Sequence, residues 1–138
     1  MIATIDSCKI IDLPKITARQ GNITFVEDFK HVPFSIERVY YIYDVPGGEE
    51  RGAHAHIELQ QILVSAMGAF DIILDDGISK KTFRMDRAYY GLLMPQMIWR
   101  EIVNFSSGGI CLVLASMPYQ EDDYIRNYDQ FLELKKIQ

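Results

Sequence analysis

The segment GEERGAHAHIELQQILVSAMG, residues 48–68, decides the fold of this chain. It places His54 and His56 two residues apart, so that on a strand both side chains point to the same face. Apolar residues at 59–64 follow, which indicates that the pair enters a buried region at the mouth of a barrel. Two solvated histidines at the end of a loop are the alternative. The apolar flank favours the functional site.

Short strands are predicted on both sides of this segment. They are rich in Val, Ile, Tyr and Phe, turn residues separate them, and Asp75-Asp76-Gly77 is a strong hairpin signal. The predicted strands are residues 9–13, 23–27, 38–45, 59–67, 69–75, 79–85, 89–94, 98–104 and 110–116. Many short strands with close turns predict an all-β sandwich or barrel, in which closure removes exposed sheet edges.

The spacing of apolar residues changes from that of a strand to that of a helix near the end of the chain. Apolar positions spaced at i, i+4, i+7 and i+8 predict one helix over residues 122–136, capped by Asp122 or Asp123. We interpret the apolar stripe as core packing against the sheet, and a base-stacking platform is the alternative. The stripe consists of Tyr124, Tyr128, Phe131 and Leu132.

Composition limits the classes of function. A chain of 138 residues predicts a single domain, and a net charge of -5 argues against a general nucleic-acid partner. No run approaches the roughly 18 apolar residues of a membrane span, and the first residues lack the apolar run of a signal peptide. We therefore expect no membrane partner and a cytoplasmic location. Cys8 and Cys111 are expected to be reduced, since a chain of this size needs no disulfide.

The spacing around the histidines matches a known fold motif. Gly48, His54, His56, Gln61 and Gly68 have the spacing of the first cupin motif, in which a glutamate ligand stands at the place of Gln61. The second motif is matched by Pro95, Met97, Arg100 and Asn104, with Arg100 where metal-binding cupins have a histidine. The fold expected is an all-β cupin (RmlC-like) barrel or jelly roll with a C-terminal helix.

The two replacements change the chemistry of the cavity. A first-row metal needs three or four N, O or S donors. At Gln61 an anionic ligand has become a neutral amide, and at Arg100 an imidazole has become a guanidinium, which keeps its proton and repels a cation. We therefore expect no metal and interpret the cavity as one for acid–base chemistry.

Blocks along nearly the whole chain resemble the dTDP-4-keto-6-deoxyglucose 3,4-ketoisomerases of the FdtA and QdtA type. The blocks are PFSIERVYY (33–41), RGAHAH (51–56), ILDDG (73–77), VLAS (113–116) and DYIRNY (123–128). The resemblance implies a small homodimeric cupin that acts without a metal. It also implies a role in making amino-deoxysugars for surface polysaccharide such as lipopolysaccharide O-antigen.

The resemblance also implies catalytic roles for four residues. His54 would be the base that removes the sugar's C3 proton, and His56 its partner in the proton shuttle. Tyr40 matches an active-site tyrosine; from the residues alone it could equally be one more aromatic residue of its strand. Arg100 would hold the developing enediolate and help to set the product's C4 configuration. No hydride carrier is needed, and none is expected, because the chain lacks a glycine-rich dinucleotide motif.

The resemblance also assigns four further positions to substrate binding and bears on the product's configuration. Arg51 would hold the diphosphate of the dTDP-linked keto sugar, although an arginine paired with a neighbouring glutamate at the rim is the alternative. Gln61 would orient a histidine or the sugar, or be a buried amide satisfied by backbone. Trp99 and Gln20 are expected near the sugar; Arg100 suggests a gluco product, while Gln20 fits neither family pattern.

Two other functions remain open from the sequence. One is a metal-dependent cupin enzyme, and the other is a cupin that binds a nucleotide sugar without turning it over. A barrel without any ligand is the least favoured interpretation, because a polar cluster lies at the predicted mouth.

Overall fold

A computed structural model describes residues 2–138. It contains two five-stranded antiparallel sheets, a two-stranded hairpin and one terminal helix. The strands are β1 (Lys9–Asp12), β2 (Lys15–Ala18), β3 (Gly21–Thr24), β4 (Arg38–Ile42), β5 (Arg51–His56), β6 (Gln61–Met67), β7 (Phe70–Asp75), β8 (Lys80–Met85), β9 (Tyr90–Met94), β10 (Trp99–Val103), β11 (Ile110–Ala115) and β12 (Tyr124–Ile125), and helix α1 is Tyr128–Lys136.

The two sheets face each other as a barrel. The first has the order β1-β9-β6-β11-β4 and the second the order β12-β5-β10-β7-β8, while β2 and β3 pair only with each other. Alternation along each strand sends one set of side chains between the sheets and the other set outward. The main apolar core lies between the sheets and includes Leu63, Phe70, Ile72 and Val113.

Two smaller apolar clusters cover the outer faces of the sheets. On the first sheet, Ile62 and Val64 pack against Val32 and Phe34 from the long connection after β3. On the second sheet, Ala55, Trp99 and Ile125 pack against α1. Both sheets therefore have residues that point into the barrel and residues that are buried on the outside.

Most predicted strands are present with ends shifted by one to three residues. The turn after Asp75 is present, and Asp76 Oδ1 accepts the N–H groups of Ile78 and Ser79. The sequence analysis did not predict β2 or β12, and it gave no strand range for β5 although it placed the histidine pair on a strand. Cys8 and Cys111 are both buried and unpaired. None of the helices in residues 2–138 is long and apolar enough to cross a membrane.

The predicted helix over residues 122–136 is wrong at its start. A 3-10 turn (Glu121–Asp123) and strand β12 come first, and α1 begins at Tyr128 with Asn127 as its cap. Tyr124 pairs with His56 across the strands, and the Asp123 carboxylate contacts the end of β5, so neither residue continues a helix. The prediction that the last part of the apolar stripe packs against the sheet is correct, since Phe131 is buried against the second sheet.

Candidate active site

A cavity of about 840 Å³ opens into one end of the barrel. Four of its polar lining residues come from four different strands: Tyr40 on β4, His54 on β5, Gln61 on β6 and Arg100 on β10. Strand alternation sends all four side chains into the space between the sheets. The volume is in the range of small-molecule binding pockets.

Strand β5 carries the histidine pair, and a β-bulge before the pair sets the direction of the histidine side chains. Opposite β10, one extra residue of β5 lies between the pairs Arg100–His54 and Ile102–Arg51. Gly52 accommodates this bulge with a φ of 74°, a value that favours glycine. After the bulge His54 lies directly beside Arg100 on the neighbouring strand.

The two histidines are in contact inside the cavity. Their Nε2 atoms lie 3.1 Å apart, and the rings meet edge to face. Burial, then the positive charge of Arg100, lowers the pKa of His54 to about 3 and also lowers the pKa of His56. Both imidazoles are therefore neutral at neutral pH in the free protein, which is the state that a base needs.

Arg100 is the most deeply buried charged side chain of the cavity, with 1% of its surface exposed. Its Nη1 donates to Gln61 Oε1 at 3.0 Å, and Nε and Nη2 donate to the Ile98 carbonyl at 3.3 and 3.2 Å. Within residues 2–138 no salt bridge joins it to a carboxylate. A buried cation with only neutral partners is a ready binding site for an anionic group.

Tyr40 and Gln61 continue this hydrogen-bond chain. Gln61 Nε2 donates to the Tyr40 hydroxyl oxygen at 3.3 Å, so the hydroxyl's own proton remains available for a ligand. Burial raises the pKa of Tyr40 to about 12, which keeps the phenol protonated. Strand alternation sends the next residue, Tyr41, to the opposite face, where it is 59% exposed.

The residues do not form a metal centre. Among residues 2–138 no three His, Cys, Asp or Glu side chains are placed to hold an ion. The histidine Nε2 atoms face each other instead of a common point, and the remaining two positions are a neutral amide and a guanidinium. The donor set therefore does not fit a first-row metal.

Comparison with known proteins identifies the family. The family model FdtA (WxcM-like, C-terminal) matches residues 6–136. The chain belongs to this family. It is 45% identical over 123 residues to the TDP-4-oxo-6-deoxy-alpha-D-glucose-3,4-oxoisomerase of Aneurinibacillus thermoaerophilus, covering 89% of this chain and 88% of that protein.

Solved structures of similar proteins have the same fold. The WlaRB TDP-quinovose 3,4-ketoisomerase of Campylobacter jejuni is 46% identical, with a TM-score of 0.88 over 91% of this chain and 97% of that one. A histidine-to-asparagine variant of the 3,4-ketoisomerase QdtA of Thermoanaerobacterium thermosaccharolyticum, in complex with TDP-4-keto-6-deoxyglucose, is 35% identical, with a TM-score of 0.93 over 95% of each chain. The all-β cupin fold expected from the sequence is confirmed.

Two residues assigned to substrate binding lie outside the cavity of this FdtA-family chain. Trp99 points away from Arg100 and packs on the outer face, with its ring centroid 5.3 Å from Tyr128 and 5.8 Å from Phe131. Strand alternation explains this, since neighbours of an inward residue point outward. Gln20 is exposed in the turn between β2 and β3 and does not line the cavity. Arg51 lines the outer part of the cavity and is exposed.

Four residues at the site were missed as site residues by the sequence analysis. Tyr124 packs on both histidines, with ring centroids 4.5 Å from His56 and 5.2 Å from His54, and Arg126 lies over the Tyr124 ring. Asp123 contacts His56, and Arg38 lies over the Tyr40 ring. Three of these four lie in the DYIRNY block quoted above, whose assignment to a helix concealed their role.

Proposed function

We propose that this protein is an isomerase that moves the ketone of a dTDP-linked 4-keto-6-deoxyglucose from C4 to C3 by proton transfer. One observation carries the proposal: the buried guanidinium of Arg100, which has no carboxylate partner, lies beside the neutral His54 in one cavity. A base next to a fixed cation is what the formation of an enediolate requires. The names of the family relatives support the same substrate class.

The reaction follows from the positions of these groups. His54 removes the proton from C3, which the C4 carbonyl acidifies, and an enolate forms with negative charge on O4. Arg100 stabilises that oxygen, and the Tyr40 hydroxyl can donate a hydrogen bond to it. The hydroxyl proton on O3 moves to O4, and a proton returned to C4 leaves the ketone at C3. Atoms and charge balance without any outside electron acceptor.

Two arginines, Arg51 and Arg126, line the outer part of the cavity, and a third, Arg38, lies with its guanidinium 5.0 Å from the centre of the Tyr40 ring; all three are suited to the diphosphate. Arg51 is exposed at the cavity opening, and Arg126 is held by Glu121 at 2.9 and 3.0 Å. The half-buried Arg38 differs from both, because its Nε and Nη2 atoms are buried without a hydrogen-bond partner in residues 2–138. Unsatisfied guanidinium donors are costly, so we assign to Arg38 a share of anion binding that the sequence analysis gave to Arg51 alone.

Finer features of the proposal come from the family resemblance. A homodimer is supported by exposed apolar side chains at the edge strand β4 and on the hairpin, namely Val39, Tyr41, Ile16 and Ile23. Sedimentation of the purified protein tests it. A cytoplasmic location and a role in amino-deoxysugars of O-antigen lipopolysaccharide stay predictions, which cell fractionation and a gene deletion test.

The deciding experiment is turnover in deuterated water. The protein is incubated with dTDP-4-keto-6-deoxyglucose, and NMR follows the sugar, with the His54→Asn variant as the control for spontaneous exchange. We expect the 3-keto sugar to form, with deuterium at C4 in the fraction of turnovers in which the proton on the base exchanges with solvent before its return. Tight binding without formation of the 3-keto sugar above the control would support a binding protein, and activity that is lost on chelation and restored by a metal would support a metal-dependent cupin.

A further inference from the structure

A buried carboxylate lies behind the histidine pair. Asp123, on the 3-10 turn before β12, is 6% exposed, and its Oδ2 lies 2.9 Å from His56 Nδ1. Its two oxygens also accept backbone N–H groups, Oδ1 from Glu58 at 2.7 Å and Oδ2 from Leu59 at 3.4 Å. Both oxygens therefore act as acceptors, and the atom facing them on His56 must be a donor.

We propose that Asp123 is a positioning residue that fixes the tautomers of both histidines, so that the resting base of the enzyme is Nδ1 of His54. This inference rests on the proposed isomerase function. The carboxylate places the proton of neutral His56 on Nδ1, which leaves a lone pair on its Nε2. The 3.1 Å contact between the two Nε2 atoms holds one proton, because two lone pairs or two N–H groups would repel. That proton belongs to His54, whose remaining lone pair is on Nδ1.

The same order of bonds gives His56 its part in catalysis. When Nδ1 of His54 takes the proton from C3 of the sugar, its Nε2 proton moves to Nε2 of His56. The positive charge then lies on His56, 2.9 Å from the Asp123 carboxylate, instead of on His54 directly beside Arg100. When the proton returns to C4, both transfers reverse and the resting tautomers are restored. Asp123 thus orients a proton relay without touching the sugar, as the aspartate of a catalytic triad does.

Replacing Asp123 by asparagine should invert the tautomers of both histidines. The short bond from the Glu58 N–H requires an oxygen on that side, so the amide nitrogen of Asp123→Asn would face His56. Nδ1 of His56 would then accept, its Nε2 would carry the proton, and His54 would hold its own proton on Nδ1. The variant keeps the size of the side chain and removes the basic lone pair. Asp122→Asn is the matched control, because Asp122 is exposed on the same turn.

Two measurements test the inference. The first is ¹⁵N NMR of the ring nitrogens, in which we expect wild-type His54 to be protonated at Nε2 and wild-type His56 at Nδ1. In Asp123→Asn both histidines should adopt the opposite tautomer, and in Asp122→Asn both should keep the wild-type tautomer. We also expect kcat of Asp123→Asn to fall on the order of 1,000- to 10,000-fold, with dTDP affinity unchanged. Protonation of wild-type His54 at Nδ1 would overturn the inference. So would a wild-type kcat in an Asp123→Asn variant whose histidine tautomers are inverted. The wild-type spectrum needs neither a folded variant nor turnover, so it is independent of the proposed function.

Discussion

Replacing Arg100 by methionine should separate the catalytic role of the buried charge from its effect on stability. Methionine fills much of the arginine's volume and carries neither charge nor donor. If Arg100 stabilises the enediolate oxygen, its loss should lower kcat by about 100- to 1,000-fold, the usual effect of removing one oxyanion donor. KM should change little, because the diphosphate is assigned to other arginines.

The expected effect on stability follows from the same contacts. The substitution leaves the Gln61 and Ile98 oxygens without their donor, which costs about 1–3 kcal/mol for each buried acceptor left unsatisfied. It also removes a buried cation that no carboxylate neutralises, which relieves a desolvation cost; for buried ion pairs, replacement by apolar side chains is often stabilising by about 1–4 kcal/mol. Because these effects oppose each other, Tm should stay within about 5 °C of the wild type.

The assay compares Arg100→Met with Arg84→Met, which removes an equal charge from an exposed site on β8. Turnover is followed by NMR and Tm by calorimetry. We expect Arg84→Met to keep the wild-type kcat. A kcat of Arg100→Met within tenfold of the wild type would refute the oxyanion role. A fall in Tm of more than about 10 °C would show that the guanidinium holds the barrel together, contrary to the reasoning from its unneutralised charge.

Four further predictions concern the same cavity. His54→Asn should lower turnover roughly 100- to 10,000-fold with dTDP affinity retained, as titration calorimetry can measure, since the amide cannot take a proton; a near wild-type rate would exclude the base role. Arg38→Ala and Arg51→Ala should each weaken dTDP binding by about 1.5–3 kcal/mol, with the larger loss for Arg38, and an effect confined to kcat would contradict diphosphate contact. Arg100→His should shift the ratio of gluco to galacto 3-keto products seen by NMR, because an imidazole there can donate a proton itself; an unchanged ratio at appreciable activity would place stereochemical control elsewhere. Since the pKa of His54 is lowered to about 3, the unfolded chain binds more protons below pH 6.5, so the free energy of unfolding should fall as pH drops from 6.5 towards 3. That slope should be smaller in His54→Asn, and parallel denaturation curves would contradict the lowered pKa.

The fold and part of the site could be predicted from the sequence because their signals are local. Alternating apolar residues mark the strands, and the two-residue spacing of His54 and His56 sends both rings to one face. The same alternation rule, applied to β10, sends Arg100 inward and Trp99 outward. Trp99 directly precedes Arg100, and immediate neighbours on a strand face opposite sides, so the assignment of Trp99 to the substrate conflicts with that rule.

The missed part of the site depends on contacts between distant segments. Asp123 and His56 are 67 residues apart, and no local pattern joins them. Tyr124 and Tyr128 are spaced four apart, as on a helix, yet Tyr124 belongs to a two-residue strand. Its pairing with β5 and the hydrogen bonds of Asp123 outweigh the helical pattern, since tertiary contacts override weak local preference. Arg38 was missed for a similar reason, because its unsatisfied donors are visible only in the folded barrel.

These contacts suggest how a metal-binding type of cavity can serve proton transfer. In a metal-binding cupin, imidazole lone pairs converge on a cation, which supplies the positive charge that stabilises a developing oxyanion. In the tautomers proposed above, one proton lies between the Nε2 atoms of His54 and His56, which are 3.1 Å apart, and the guanidinium of Arg100 would supply a fixed charge from the place of the last ligand. The proton can move, whereas a bound metal would occupy both lone pairs and leave no base. On the proposed mechanism, loss of the ion creates the base, and Arg100 keeps the positive charge that the enediolate needs.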